Sequence, residues 1–186
     1  MTEPFRLLCM CTANRCRSPM AEAMARRMLA ERGVDAEVVS AGVMEGGAPA
    51  TGGSISAMGR RELDLSEHRS HQLDAETAAA ADLILTMERR HLTTVAELDV
   101  EAVHRAFPLK ELAELAPTVG WRPPGLTVQE WIRRADATRT PGAVLSASTG
   151  SDVADPMGGP RRAYRQTADE IEALLEVVIS ALFPPR

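Results

Sequence analysis

The chain has 186 residues, 45% of them apolar, and a formal net charge of -5. That length supports a single domain over 1–186 with a sizeable core, and the acidic balance speaks against a general nucleic-acid binder. No apolar run approaches the ~20 residues that span a bilayer, and no basic start followed by an apolar stretch marks a secretory leader, so neither a membrane span nor export is expected.

Phe5 to Met10 reads as a strand, and Pro19 to Arg32 reads as a helix. Ser18 is expected to cap that helix, with Pro19 at its first position. Met20, Met24 and Met28, with Ala21, Ala25 and Leu29 beside them, form one apolar stripe that Gly33 ends. Glu37 to Ser40 is a short second strand, closed by Ala41-Gly42. Residues 46–53 hold four glycines and a proline and read as a loop, with a helix from Ser54 to Leu63 behind it. Asp82 to Met87 is nearly continuous apolar sequence, as a strand buried on both faces requires. Ala102 to Ala106 is a weaker fourth strand. Residues 117–150 read as an inserted helix and loop. There Trp121-Arg122-Pro123-Pro124-Gly125 is a break, and Thr127-Val128-Gln129-Glu130 has a capping-box pattern. Val128, Trp131, Ile132 and Ala135 form a stripe, and Thr138 to Ser151 is small and polar. The last helix carries Ile171, Leu174, Leu175, Val178, Ile179 and Leu182 on one face and Asp169, Glu170, Glu172 and Glu176 on the other. Strands alternating with helices imply βαβ units and a parallel sheet, an α/β fold.

The chemistry concentrates at residues 11–18, Cys-Thr-Ala-Asn-Arg-Cys-Arg-Ser. A thiol at the end of a strand faces the start of a helix, where an anion is best held. Backbone N–H groups from Thr12 to Arg17 (Thr12, Ala13, Asn14, Arg15 and Cys16 among them) can converge on a phosphate, and Arg17 can pair two of its oxygens in a fork. The same field favours a Cys11 thiolate, the form that attacks phosphorus. The departing group needs a general acid, and Asp155, stiffened by Pro156, is favoured over its rival Asp152. Cys9, Cys11 and Cys16 crowd one stretch and no cysteine follows, which is no disulfide framework and fits a reduced, cytoplasmic setting. No paired C-x2-C spacing exists, so no metal is expected, nor an organic cofactor. Cys9 is expected to pack on its strand. Cys16 is either a small buried residue or a disulfide partner that shields Cys11 from over-oxidation. His71, His91 and His104 are expected to be solvated or to lie on helix faces.

The run from Cys11 through Ser18-Pro19-Met20-Ala21-Glu22-Ala23 resembles the N-terminus of the low-molecular-weight protein tyrosine phosphatases. Ser40-Ala41-Gly42, Leu65-Ser66-Glu67-His68-Arg69-Ser70, Asp82 to Met87 and the late Asp155-Pro156 agree in order and spacing. The resemblance implies a Rossmann-like three-layer α/β/α sandwich on a four-stranded parallel sheet, of the phosphotyrosine protein phosphatase I type. It implies hydrolysis of phosphomonoesters, protein phosphotyrosine foremost, through a phosphocysteine on Cys11. Arg17 would clamp the phosphate, Ser18 would donate to the Cys11 sulfur, and Asp155 would be acid, then base. Asn14 would hold the loop in a polar network with Ser18, Ser40 and His68. Sulfate and vanadate are the anions expected to mimic phosphate in the loop.

Two departures stand out. Family members acting on phosphotyrosine usually carry aromatic residues after the Asp-Pro and often one after the Ser-Ala-Gly, where this chain has Met157-Gly158-Gly159 and Val43-Met44. Trp121 or Trp131 of the insertion could supply a wall instead. Arg15 stands where the family is usually apolar, or threonine in members that act on phosphoarginine, and it is expected to favour acidic groups flanking the phosphate. Phosphoarginine or another phosphate on the same scaffold is therefore an alternative substrate. Arsenate reduction with a small external thiol is another, whereas the thioredoxin-coupled route uses downstream cysteines that this chain lacks. A non-enzymatic phosphoprotein-binding module would be expected to lose the cysteine or the acid, and both are present.

Overall fold

The computed structural model describes residues 3–139, 150 and 152–185. Four parallel strands, β1 (Phe5–Cys11), β2 (Ala36–Gly42), β3 (Leu83–Thr86) and β4 (Ala106–Pro108), form one sheet in the order β2-β1-β3-β4. Cys11 pairs with Gly42, and Met10 with Thr86, so the three strands deliver their loops to the same edge.

Side chains alternate across β1 with the strand period of two. Leu7, Cys9 and Cys11 enter the larger core, and Leu8 and Met10 the smaller. The larger core lies under α1 (Arg17–Glu31), α2 (Gly52–Gly59), α5 (Leu109–Val119) and α7 (Arg161–Leu182), with α6 (Val128–Ala137) packed beside α5. The smaller core is closed by α3 (Ala75–Ala80), α4 (His91–Leu98) and a 3₁₀ turn, Val100–Arg105. The result is an α/β/α sandwich. After β1 the chain turns to one face of the sheet, and after the neighbouring β3 it turns to the other. The two loops diverge and leave a crevice at the strand ends, the usual binding position in an open α/β sheet.

Several expectations are corrected. Residues 102–105 lie in the 3₁₀ turn, and the fourth strand is Ala106–Pro108. The Val-His-Arg segment within that turn mimics a strand run, but Asp99 caps the turn by accepting from the Glu101 N–H at 3.0 Å. The helix expected over 54–63 is α2, which starts at Gly52 because Thr51 caps it and stops at Gly59. Helices α3 and α4 are short and were not expected; α5, whose Leu109, Leu112, Ala113 and Ala116 recur at helical spacing, was also missed, and it follows β4 directly, so the insertion begins within a helix. The capping box is present: Glu130 N–H donates to Thr127 Oγ1 at 3.1 Å, and Thr127 N–H to Glu130 Oε2 at 2.8 Å. The loop expected from Thr138 to Ser151 lies mostly outside the described residues.

Candidate active site

Helix α1 begins at Arg17 with Cys16 as its N-cap, and no side chain caps it. The expected Ser18 cap is therefore corrected: Ser18 turns inward, with Oγ 3.1 Å from Cys11 Sγ. The main-chain hydrogen bonds of the described residues use none of the N–H groups from Ala13 to Ser18. These unspent donors and the positive end of the α1 dipole surround the point where β1 hands over to the helix. Cys11 lies at the floor, 2% exposed.

Asn14 shapes the loop. It takes a left-handed φ of 50°, which asparagine tolerates better than most residues. Its Nδ2 donates to Ser18 Oγ at 2.9 Å and to Ser40 Oγ at 2.8 Å, and its Oδ1 accepts from His71 N–H at 2.8 Å. His68 Nε2 lies 2.7 Å from the Asn14 carbonyl. These bonds have a fixed polarity. Ser40 donates to the Glu22 carboxylate at 2.5 Å, so its oxygen is left to accept from Asn14. Ser18 also accepts from Asn14, and its own proton is free for the Cys11 sulfur, the alternative acceptor being the Ala41 carbonyl at 3.4 Å. Gly42 completes the fit: a Cβ there would come within 2.8 Å of Asn14 N and 2.9 Å of Thr12 O.

Arg17 is buried beside the cup. Nη1 lies 2.7 Å from Glu88 Oε1 and donates to the Val153 carbonyl at 3.0 Å, and Nη2 donates to Asp155 Oδ2 at 2.9 Å. Its buried Nε has no partner among the described residues, which leaves that N–H as a donor for an anion. Asp155 accepts from Met157 N–H at 3.0 Å through its other oxygen. Asp152 instead accepts from Arg89 N–H at 2.8 Å and ties down the loop after β3. The geometry thus brings Asp155, not Asp152, to Arg17.

Three residues of that loop were not marked by the sequence. Glu88 pairs with Arg17 and accepts from Arg90 Nε at 2.5 Å; burial opposes its charged form, but the hydrogen bonds of Arg90 and Arg17 prevail and hold its carboxyl below the usual range. Arg90 Nη2 donates to Thr12 Oγ1 at 3.2 Å, and His91 Nε2 lies 3.1 Å from the same hydroxyl. His91 is buried rather than solvated, and burial, reinforced by Arg17 and Arg90 against Glu88, pushes its imidazole down to about 4. The available signal was position: 88–91 follow the C-terminal end of a buried strand adjacent to β1. His71 is exposed, and His104 faces solvent against Asp136.

Cys9, Cys11 and Cys16 are all buried and free. Burial pushes the Cys9 and Cys16 thiols up, and Cys16 Sγ contacts Thr51 Oγ1 at 3.3 Å. At the rim, Met44 and Met157 are exposed, and Arg15 Nε donates to the Pro49 carbonyl at 2.9 Å. Neither tryptophan is a wall of this site. Trp131 is buried under α6 with Nε1 on the Gly120 carbonyl at 2.8 Å. Trp121 adjoins Arg122, whose N–H donates to Ala181 at the end of α7, by the far edge of the sheet. Tyr164 is buried, its ring against Gly53. Among the described residues no three His, Cys, Asp or Glu side chains gather as metal ligands would.

A cysteine at the floor of a main-chain anion cup, with arginine and aspartate on one wall of an α/β sandwich, defines a class of cysteine-dependent phosphatases. Residues 6–119 match the family model of the low molecular weight phosphotyrosine protein phosphatases, and the chain belongs to that family. It is 30% identical over 177 residues to a protein-arginine-phosphatase of Bacillus subtilis, covering 95% of each chain. It is 35% identical over 95 residues to the low molecular weight protein-tyrosine-phosphatase Wzb of Escherichia coli K12, covering 51% of this chain and 63% of that one. Among solved structures it is similar to a low molecular weight protein tyrosine phosphatase from T. tengcongensis, with a TM-score of 0.72, 29% identity, and 96% and 99% of the two chains covered. A YwlE arginine phosphatase carrying a phosphorylated active-site serine superposes with a TM-score of 0.70 at 29% identity, over 94% of this chain and 93% of that one. The protein is a phosphatase of this family.

Proposed function

We propose that the chain hydrolyses phosphorylated protein side chains, phosphotyrosine foremost, through a phosphocysteine on Cys11. The observation that carries this reading is the Cys11 sulfur, buried at the cup's floor with the Ser18 hydroxyl 3.1 Å away. The phosphate sits in the amide cup and accepts from the unpartnered Arg17 Nε. The Cys11 thiolate attacks phosphorus while Asp155 passes a proton to the departing oxygen. Asp155, now a carboxylate, takes a proton from a water that attacks the phosphocysteine, and the sulfur leaves accepting the Ser18 hydrogen bond. Phosphate-like anions such as sulfate and vanadate occupy the same cup. Three unpaired thiols suit a reducing, cytoplasmic setting.

Cys11 is buried to 2% exposure, which favours the longer tyrosine or arginine side chain over serine. Phosphoarginine is the second reading. It is favoured by the rim, where flexible Met44 and Met157 replace aromatic walls, and by full-length similarity to a protein named as an arginine phosphatase.

The test is a panel. Wild type is expected to turn over para-nitrophenyl phosphate and phosphotyrosine peptides, Cys11→Ser neither, and phosphoserine peptides are expected to be spared. A clear preference for phosphoarginine peptides transfers the conclusion to the second reading. Turnover surviving in Cys11→Ser contradicts both.

A further inference from the structure

We propose that the mouth of the cup selects phosphorylated side chains with acidic neighbours, through Arg15 and Arg69 on one side and Arg90 on the other. This rests on the protein-phosphatase reading above. Arg15 is fixed by its Nε to the Pro49 carbonyl at 2.9 Å, and Pro49 is bridged to Arg69, so two guanidinium-bearing residues flank one point of the rim. Across the cup, Arg90 is tethered to Glu88 and to Thr12 Oγ1, with its side chain 68% exposed.

The protein carries -5 overall, and Arg27, Arg32, Arg61, Arg105 and Arg139 each pair with a carboxylate. Among the described residues neither Arg15 nor Arg69 pairs with one; Arg69 donates only to the carbonyls of Ser66 and His68. Glu88 is paired with Arg17 and Arg90, and Asp155 with Arg17, so these four charges cancel, whereas Asp152 is held by the neutral Arg89 amide and keeps its charge. Arg15 and Arg69, which pair with no carboxylate among the described residues, are the positive charges that the rim can turn to an acidic flank. Aspartate or glutamate within a few residues of the phosphorylated side chain meets that field, while basic flanks are repelled.

Exposed pairs are individually weak, so the three arginines together are expected to raise kcat/KM for an acidic peptide by about three- to tenfold at low salt, mainly through KM. The experiment compares two phosphotyrosine peptides, identical except for aspartate or asparagine flanks, at ~20 mM and ~500 mM salt, where screening differs strongly. Wild type, R15Q/R69Q and R90Q are assayed, with para-nitrophenyl phosphate as a third substrate. The acidic peptide is expected to win in wild type at low salt, with the ratio shrinking towards one at high salt and in R15Q/R69Q. Equal kcat/KM for both peptides in wild type at low salt overturns the proposal, as does a ratio unchanged in the double variant. Should that variant fail to fold, the wild-type salt series decides alone. Turnover of para-nitrophenyl phosphate with neither peptide cleaved overturns instead the phosphotyrosine reading, and the same pair of flanks is then compared on phosphoarginine peptides.

Discussion

Asp155 divides its carboxylate between the Arg17 guanidinium and the Met157 amide, which holds it over the cup while leaving it 43% open to solvent. Asp155→Ala is expected to slow turnover of substrates with poor leaving groups by roughly 10²–10⁴-fold, the usual worth of a general acid. Vanadate inhibition should be kept, because the amides and the Arg17 fork remain; a null effect on turnover would move the role to Asp152. At this scale the sequence was most legible where chemistry and chain position coincide. Cys11, Arg17 and Ser18 share one contiguous loop, and Asp155 is flagged by the proline behind it. Glu88 and His91 were illegible for the opposite reason. Nothing in a Met-Glu-Arg-Arg-His run tells a buried carboxylate from a solvated one until β3 is placed beside β1.

At the scale of elements, the turn leaving β2 and the loop leaving β1 are in backbone contact. Gly42→Ala would drive a methyl group into the Asn14 amide and the Thr12 carbonyl, neither of which can swing aside. It is expected to lower kcat/KM and weaken vanadate binding together while the protein stays folded by circular dichroism; unchanged vanadate affinity would show the cup less tightly built. Helix α6 makes the contrasting case. Trp131 is its anchor, buried on α5, so Trp131→Ala is expected to cost about 3–5 kcal/mol in urea unfolding. Its distance from the cup predicts that the folded fraction keeps wild-type kcat/KM, and a lower kcat/KM at low denaturant would tie the insertion to the site. Long periodic helices such as α1 and α7 were readable from their stripes. β4, at three residues, was not, because its placement depends on pairing with β3 through Ile84 and Ala106.

For the whole molecule, the buried imidazole of His91 couples folding to pH. It faces Glu88, Arg17, Arg90 and Asp152, and it takes up a proton in the folded protein only near 4, whereas the unfolded chain does so near 6.5. Between those values the unfolded state binds more protons, so stability falls as pH falls from 6.5 towards 4. Glu88 acts in a lower window: its stabilisation is present above 4.5 and is lost only as pH drops below that. Melting temperatures measured from pH 7 to 5 should therefore decline in wild type and decline less in His91→Gln; parallel curves would refute the assignment. The sheet as a whole was foreseeable from alternating strands and helices. The order that puts β3 beside β1, and so creates the crevice, was carried by no local pattern.

The central claim is that phosphate passes through the Cys11 sulfur. Asp155→Ala mixed with para-nitrophenyl phosphate, quenched in acid within milliseconds, and digested for mass spectrometry tests it directly. The expected result is a peptide containing Cys11 that has gained one phosphoryl group, with a stoichiometric burst of nitrophenol. Turnover with no such adduct, or an adduct on Cys9 or Cys16, would contradict the account.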